Sequence, residues 1–133
     1  MFVLDTDICI YLLNGKAPGI AERLRGLPKR LVATSAVTAA ELYYGALHSG
    51  RAENNMRRVR AFLAPLVRIA FGDEAAEHFG RIKQVLAQAG TPIGPMDLLI
   101  AATTLGAGAQ LVTNNREEFA RVPSLMLADW PLA

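Results

Sequence analysis

The sequence predicts an α/β fold, a three-layer α/β/α sandwich in which helices cover both faces of a mostly parallel central sheet of four to five strands. Short apolar runs alternate with longer stretches of helical periodicity. Strands separated by helices pair in parallel, with the helices packed on the sheet. The chain has 133 residues, of which 52% are hydrophobic. This length and composition suit one compact domain, residues 1–133, with a substantial core.

Each element has its own boundary signals. The predicted strands are Phe2–Leu4, Leu31–Ala33, Val67–Phe71, Gln110–Thr113 and Leu125–Leu127. The predicted helices are Thr6–Leu13, a segment from Pro18 through Leu24, a segment from the N-cap Ser35 to about His48, Arg51–Leu63, Asp73–Ala89, and a segment from Gly94-Pro95 to Leu105. Asn14-Gly15 and Gly90 are residues that end helices, and Pro95 fits a first helical turn.

The composition favours a cytosolic protein over a membrane or secreted one. No stretch reaches the roughly 20 apolar residues that span a bilayer. No basic segment precedes an apolar stretch at the N-terminus, so a signal peptide is not expected. Cys9, the one cysteine, lies in an apolar helical pattern and is expected to be a buried, reduced thiol. A cytoplasmic location is therefore predicted.

Arginine makes up eleven of the fourteen basic residues, although the net charge is only +2. Four arginines lie together in one predicted helix: Arg51, Arg57, Arg58 and Arg60. Such a cluster can hold phosphates through bidentate contacts. A solvated helix face explains the same cluster without any ligand, so both interpretations stay open.

Asp5 directly follows the first strand. It stands at the carboxyl edge of the predicted sheet, where open α/β sheets form their sites. Thr6 or Asp7 is expected to cap the helix that follows. Two acids at one helix start exceed what a cap requires, so Asp5 is a candidate functional residue.

Glu41 is placed by helical periodicity on one side of its helix with Val37, Ala40, Tyr44 and His48. This side is expected to face inward. Burying an unpaired carboxylate is costly, and no lysine or arginine lies within the helix. Glu41 is therefore expected to meet a bound cation or a salt-bridge partner from elsewhere in the chain.

Two further acids have ordinary explanations when they are taken alone. Asp97 lies in the first turn of an apolar helix, where the helix macrodipole favours an acid. Glu118 follows Thr113 and the polar pair Asn114-Asn115, which would ordinarily form a turn.

The four acids share one common explanation. Asp5, Asp97 and Glu118 lie at or near the strand-end edge and Glu41 faces the core, so together they would repel one another unless a cation binds. Ligands that are all oxygen suit Mg²⁺, with Mn²⁺ as a substitute, rather than zinc. Carboxylate-bound Mg²⁺ can activate water and neutralise charge on a phosphate, which predicts hydrolysis of a phosphodiester.

Four segments resemble the motifs of VapC-type PIN-domain toxins, in order and at matching spacing. They are FVLDTDICIYL (2–12), SAVTAAELYYG (35–45), PIGPMDLLIAA (92–102) and VTNN with EF (112–119), and the similarity runs on to Asp129-Trp130. The resemblance implies a PIN-like fold and a metal-dependent endoribonuclease, the toxin of a type II toxin–antitoxin system. Such toxins cut structured RNA, in several members tRNA. A cognate VapB-like antitoxin and a toxin homodimer are also implied.

By position, the resemblance makes Asp5, Glu41 and Asp97 metal-binding and catalytic acids. Many relatives carry aspartate where this chain has Asn115, and the subgroup with Thr-Asn-Asn uses the downstream glutamate, here Glu118, as the fourth acid. The residues expected to orient ligands or waters are Thr6, Asp7, Thr113, Asn114 and Asn115. The residues expected to contact RNA are Arg51, Arg57, Arg58, Arg60 and Arg116.

The helix from Ala36 to Leu47 is apolar nearly all round, with Leu42 and Tyr43 off the Glu41 side. Such a helix is buried on two sides, either within the fold or against a partner. An antitoxin peptide in a groove could place an arginine near the acids and compete with the metal.

Two alternative functions remain open at this level. Asn115 makes a catalytically inactive RNA- or protein-binding module of the same fold conceivable. The Asp5-Thr6-Asp7 sequence has the form of a haloacid-dehalogenase-like phosphatase motif, although the later lysine and paired-acid motifs are lacking. His48 and His78 are expected to be structural, because a metal-bound water needs no histidine base.

Overall fold

The computed structural model describes all 133 residues, Met1 to Ala133. The strands are β1 (Phe2–Leu4), β2 (Val32–Ser35), β3 (Val67–Ile69), β4 (Gln110–Val112) and β5 (Met126–Ala128). The helices are α1 (Thr6–Leu13), α2 (Pro18–Arg25), α3 (Ala36–His48), α4 (Ala52–Leu63), α5 (Asp73–Ala89), α6 (Pro95–Gly106) and α7 (Arg116–Phe119), with a 3₁₀ turn at Lys29–Leu31. All strands are parallel, in the order β3-β2-β1-β4-β5. The predicted α/β fold is confirmed.

The predicted elements differ from the observed ones mainly at their ends. Leu31 belongs to the 3₁₀ turn, so β2 begins one residue later than predicted and continues to Ser35. Ser35 is the N-cap of α3, as predicted, because its hydroxyl accepts from the Thr38 amide at 3.0 Å. β3 ends at Ile69 rather than Phe71, since Ile69 pairs with the last residue of β2. No helix is both long and apolar enough to cross a membrane.

Successive strand residues point to opposite faces of the sheet and build two cores. One core contains Leu4, Val32 and Val112, which pack with apolar side chains of α1 to α4. The other contains Val3, Ala33 and Leu111, which pack with α5, α6 and α7. The sheet is therefore covered on both faces, and only its strand ends are free to form a site.

Cys9 lies in the first of these cores and is fully buried, as predicted. Burial raises the pKa of its thiol to about 12. A thiol that stays protonated at neutral pH is a poor nucleophile, so the role of Cys9 is to pack in the core.

The prediction of which side of α3 faces inward is wrong. The residues that α3 buries are Thr38, Ala39, Leu42 and Ala46. Tyr44 and His48, which the periodicity placed inward, are exposed and stack on each other with ring centroids 5.4 Å apart. The helix is apolar on nearly every side, so periodicity could not identify its buried face. Glu41 consequently lies at the border between the buried and exposed sides.

Residues near the C-terminus pack against the start of α2. The Gly19 amide donates to the Leu132 carbonyl at 2.8 Å. Trp130 packs against Phe2, with ring centroids 4.7 Å apart. A Cβ atom on residue 19 would lie 2.2 Å from the Ala133 carbonyl oxygen, far inside van der Waals contact. Only glycine therefore allows this close approach.

We expect Gly19→Ala to displace residues 131–133 and to destabilise the fold by about 1–3 kcal/mol, the usual cost of overpacking. Gly45→Ala is the matched control, because a Cβ there meets nothing within 4 Å and alanine favours the helix interior. Thermal unfolding followed by circular dichroism measures both variants. Equal melting temperatures for Gly19→Ala and wild type would contradict the packing.

Candidate active site

Asp5 follows β1 at the centre of the sheet and is 3% exposed. Its Oδ1 accepts from the Ile8 amide at 2.9 Å, so Asp5 itself caps α1. The prediction that Thr6 or Asp7 caps this helix is wrong, because a cap must precede the first helical residue, which is Thr6. The other oxygen of Asp5 accepts from the Thr113 hydroxyl. Both oxygens are thereby oriented.

Thr113 follows β4, the neighbour of β1. Parallel pairing of Leu4 with Val112 places the next residues, Asp5 and Thr113, side by side. The Thr113 hydroxyl oxygen also accepts from the Asn115 amide at 2.9 Å. Thr113 therefore links the central acid to the turn that precedes α7.

Glu41 reaches the same edge from α3. The Thr6 hydroxyl donates to Glu41 Oε1 at 2.6 Å, which brings the first two predicted motifs together. The chain's one salt bridge joins Arg81 to Glu77, so no arginine or lysine pairs with Glu41. The sequence left open either a salt bridge or a bound cation as the partner of Glu41. The structure has no salt bridge at Glu41, and a bound cation stays a proposal.

Glu118 is held by two donors. The Gly94 amide donates to Oε1 at 3.0 Å, and the Asn115 side-chain amide donates to Oε2. Gly94 immediately precedes α6, whose first turn carries Asp97. Glu118 therefore ties α7 to the start of α6 and lies beside Asp97.

These side chains meet around a cleft of about 200 Å³. Its lining residues are Asp5, Thr6, Asp7, Glu41, Asp97, Asn115 and Phe119. Glu118 and Thr113 adjoin it through the hydrogen bonds described above, while Asn114 is exposed. As the side chains stand, no three carboxylates converge on one point as the ligands of a bound ion do. Like charges repel, and hydrogen bonds from neighbouring elements hold Asp5, Glu41 and Glu118 in separate orientations.

Burial and mutual repulsion perturb the acids. Burial raises the pKa of Asp5 to about 6, and the charges of Asp7 and Glu41 add to this rise. Burial and the adjacent Glu118 raise the pKa of Asp97 to about 7. Although burial acts to raise it, hydrogen bonds from Gly94 and Asn115 lower the pKa of Glu118. Asp97 is thus partly protonated near neutral pH and Asp5 below it, and a divalent cation would displace these protons.

The donor chemistry of the cleft fits a hard divalent cation. Its polar lining consists of carboxylate, hydroxyl and amide groups, with neither cysteine nor histidine. Magnesium and manganese ions prefer such oxygen ligands. Only one oxygen of Glu41 accepts a protein hydrogen bond, so the other stays available to a cation.

Two of the five arginines predicted to contact RNA are engaged within the chain. Arg58 donates to the Leu13 carbonyl at the end of α1, at 2.6 Å. Arg116 donates to the Ala128 carbonyl at the end of β5, at 2.8 Å. The remaining three, Arg51, Arg57 and Arg60, are exposed on or beside α4. Contact of these arginines with RNA stays a prediction.

Sequence reasoning missed two contributors to the site. Thr38 is fully buried, and its hydroxyl lies 3.0 Å from that of Thr6. The available signal was its position three residues before Glu41, one helical turn away. Gly94 contributes a backbone amide, and the sequence carried no signal for that.

Comparison with known proteins shows the family to which the chain belongs. The PIN domain family matches residues 2–125. The tRNA(fMet)-specific endonuclease VapC of Salmonella typhimurium is 39% identical over 129 residues, 97% of each chain. Ribonuclease VapC2 of Rickettsia felis is 37% identical over 131 residues, 98% of each chain.

Solved structures show the same fold. The crystal structure of Rickettsia felis VapBC2 bound to a promoter DNA fragment has a chain that superimposes with a TM-score of 0.90 at 36% identity, covering 97% of this chain and 98% of that one. DNA-bound VapBC from Salmonella typhimurium gives 0.91 at 38% identity, covering 96% of each chain. The similarity therefore extends over the whole sheet and nearly the whole sequence. This chain belongs to the PIN-domain family, among the VapC ribonucleases of toxin–antitoxin systems.

Proposed function

We propose that this chain is a divalent-metal-dependent endoribonuclease toxin that hydrolyses phosphodiester bonds in structured RNA. The observation that carries the proposal is the cleft at the strand ends, where Asp5, Glu41 and Asp97 meet with no basic partner. Uncompensated acids at such a position suit a cation that the substrate phosphate can share.

Asp5, Glu41 and Asp97 would hold Mg²⁺, or Mn²⁺ in its place, with Glu118 as the fourth acid. When bound, the ion would activate a water molecule and offset the charge that develops on the phosphate. The protein's part is to orient the acids. Asp5 is oriented by the Ile8 amide and the Thr113 hydroxyl, and Glu41 by the Thr6 hydroxyl.

Glu118 and Asn115 act together in this proposal. Both Glu118 oxygens already accept one hydrogen bond from the protein. Each carboxylate oxygen can accept a second interaction, so Glu118 can contribute to the site without losing its hold on Gly94. Asn115 then serves as the group that orients Glu118, which accounts for an amide where many relatives carry an acid.

Transfer RNA is the proposed substrate class, with initiator tRNA as the first candidate. The support is the 39% identity over nearly the whole chain to an enzyme named tRNA(fMet)-specific endonuclease. Arg51, Arg57 and Arg60 are free to reach phosphates of a folded RNA, because their side chains lie in solvent.

A VapB-like antitoxin is the proposed inhibitor, as the VapBC structural relatives suggest. A groove of about 250 Å³ between α1, α3 and α4 has Ile10, Leu42 and Val59 in its wall and reaches Glu41. An apolar peptide segment in this groove could place an arginine beside Glu41 and compete with the metal. Tyr44 and Leu47, which are 67% and 61% exposed, offer apolar surface for the proposed homodimer or for the antitoxin.

The test uses purified, antitoxin-free protein and initiator tRNA in Mg²⁺, in Mn²⁺ and in EDTA. We expect discrete fragments that require metal, and mapping of their ends gives the cleavage site. An unstructured oligoribonucleotide of equal length is the substrate control and should be cut more slowly. Folded protein that cuts no RNA in either metal would overturn the proposal and favour the inactive binding module.

A further inference from the structure

We propose that a chain of three hydroxyl groups, Ser35, Thr38 and Thr6, ends on Glu41 and orients its carboxylate for metal binding. Thr38 is the positioning residue in the middle of this hydroxyl chain. The inference rests on the proposed function, because it takes Glu41 as a metal ligand.

The hydroxyl chain joins three elements. The Ser35 hydroxyl at the end of β2 lies 3.3 Å from the Thr38 hydroxyl in the first turn of α3. Thr38 lies 3.0 Å from the Thr6 hydroxyl at the start of α1, and Thr6 lies 2.6 Å from Glu41 Oε1. Ser35 and Thr38 are both fully buried, so water cannot replace the contact between them, whereas Thr6 and Glu41 are half-buried.

The direction of every proton in the hydroxyl chain follows from donor counting. A carboxylate has no proton to give, so Thr6 must donate to Glu41. Each hydroxyl has a single proton, and Thr6 must therefore accept from Thr38, which must accept from Ser35. Ser35 is itself an acceptor, from the Thr38 amide at 3.0 Å. No hydroxyl is left free to turn its proton elsewhere.

This fixed direction has a consequence for the acid at its end. Glu41 Oε1 always accepts the hydrogen bond from Thr6, while Oε2 accepts no hydrogen bond from the protein. The side chain is thus held with one oxygen committed and one available to a cation. Groups that orient metal ligands in this way change metal affinity or activity by about 10–100-fold when removed.

The variant Thr38→Val keeps the side-chain shape and removes the hydroxyl. We expect its dissociation constant for Mn²⁺, measured by calorimetry, to rise about tenfold. The kcat for tRNA cleavage at subsaturating metal should fall while KM for RNA stays unchanged. Thr38→Ser, which keeps the hydroxyl, should restore both values.

Thr104→Val is the matched control. Thr104 is also fully buried, and its hydroxyl donates to the Ile100 carbonyl within α6 at 2.8 Å. The Thr104→Val substitution removes an equivalent buried hydroxyl that does not contact an acid. We expect unchanged Mn²⁺ affinity for Thr104→Val.

A second measurement needs no metal. In EDTA, the melting temperatures of Thr38→Val, Glu41→Gln and the double variant should be non-additive, because the two residues share one network. Thr104→Val combined with Glu41→Gln should be additive. Wild-type Mn²⁺ affinity in Thr38→Val, or additivity in both cycles, would overturn the hydroxyl chain and leave the nuclease proposal intact. Wild-type protein that binds no Mn²⁺ would overturn the ligand role of Glu41 itself.

Discussion

The Asp5→Asn variant is expected to lose RNA cleavage by at least about 100-fold, since even groups that only support metal ligands change activity by 10–100-fold. In metal-free buffer at pH 7.5 it should melt at the same temperature as wild type or higher. Asparagine keeps the oxygen that accepts from the Ile8 amide, so α1 stays capped. It exchanges the oxygen that accepts from Thr113 for an amide group, but it also removes a carboxylate whose burial raises its pKa to about 6 and which is therefore destabilising at pH 7.5.

Initial rates of tRNA cleavage in Mg²⁺ and melting curves in EDTA measure the two effects separately. Asp7→Asn is the control, because Asp7 lines the same cleft but is exposed. We expect only a mild loss of activity there. Complete loss in Asp7→Asn would point to the phosphatase alternative, and an active Asp5→Asn would refute the proposed site.

The stability of the metal-free protein is expected to fall as the pH rises from about 4 to about 7. Burial raises the pKa of Asp5 from 3.8 to about 6, and burial with repulsion by Glu118 raises that of Asp97 to about 7. The folded state therefore binds more protons than the unfolded state in this window, and the free energy of unfolding decreases with pH. For Asp5 alone the loss is on the order of 3 kcal/mol. The pKa of Glu118 is lowered, so this residue makes the free energy of unfolding rise with pH. Its effect is confined to the acid end of the window, near pH 4.

Added Mg²⁺ should reverse this loss. The ion needs the deprotonated carboxylates, so stabilisation should be near zero at pH 5 and should approach about 2.7 kcal/mol at pH 8 when the ion is present at 100 times its Kd. Melting temperatures at pH 5, 6, 7 and 8, in EDTA or in MgCl₂, test both halves of the prediction.

The Asp5→Asn variant serves as the control for this titration, because it should flatten the metal-free profile and weaken the response to Mg²⁺. A wild-type protein whose stability rises between pH 4 and pH 7 in EDTA would contradict the assignment of the raised pKa values.

The sheet and its central acid could be predicted because their signals are local. Short apolar runs such as Phe2–Leu4 and Leu111–Val112 predict buried strands, and parallel pairing then brings their ends together. Asp5 and Thr113 meet for that reason alone. The order of the motifs along the chain supplied the remaining acids by resemblance, and their role as ligands stays a prediction. Glu41 and Asp97 line one cleft with Asp5.

The rotation of α3 could not be predicted, because nearly every side of that helix is apolar. The true inward side carries Ala39, Leu42 and Ala46, which join the core, and Thr38, whose buried hydroxyl lies 3.0 Å from that of Thr6. The hydrogen-bond partners of Arg58 and Arg116 could not be predicted from the sequence either. Each satisfies a backbone carbonyl at the end of a distant element, and only the tertiary structure shows which carbonyls lack a donor.

Asp5 caps α1 through one carboxylate oxygen, which asparagine retains, and would serve the proposed chemistry through its charge. The two roles are therefore separable by a single substitution that preserves shape. On the proposed function, a gene that acquires this substitution would still produce a folded protein whose proposed antitoxin groove is unchanged. Such a protein would compete for the cell's antitoxin and release active toxin elsewhere, so the mildest structural change at this site would have a dominant physiological effect.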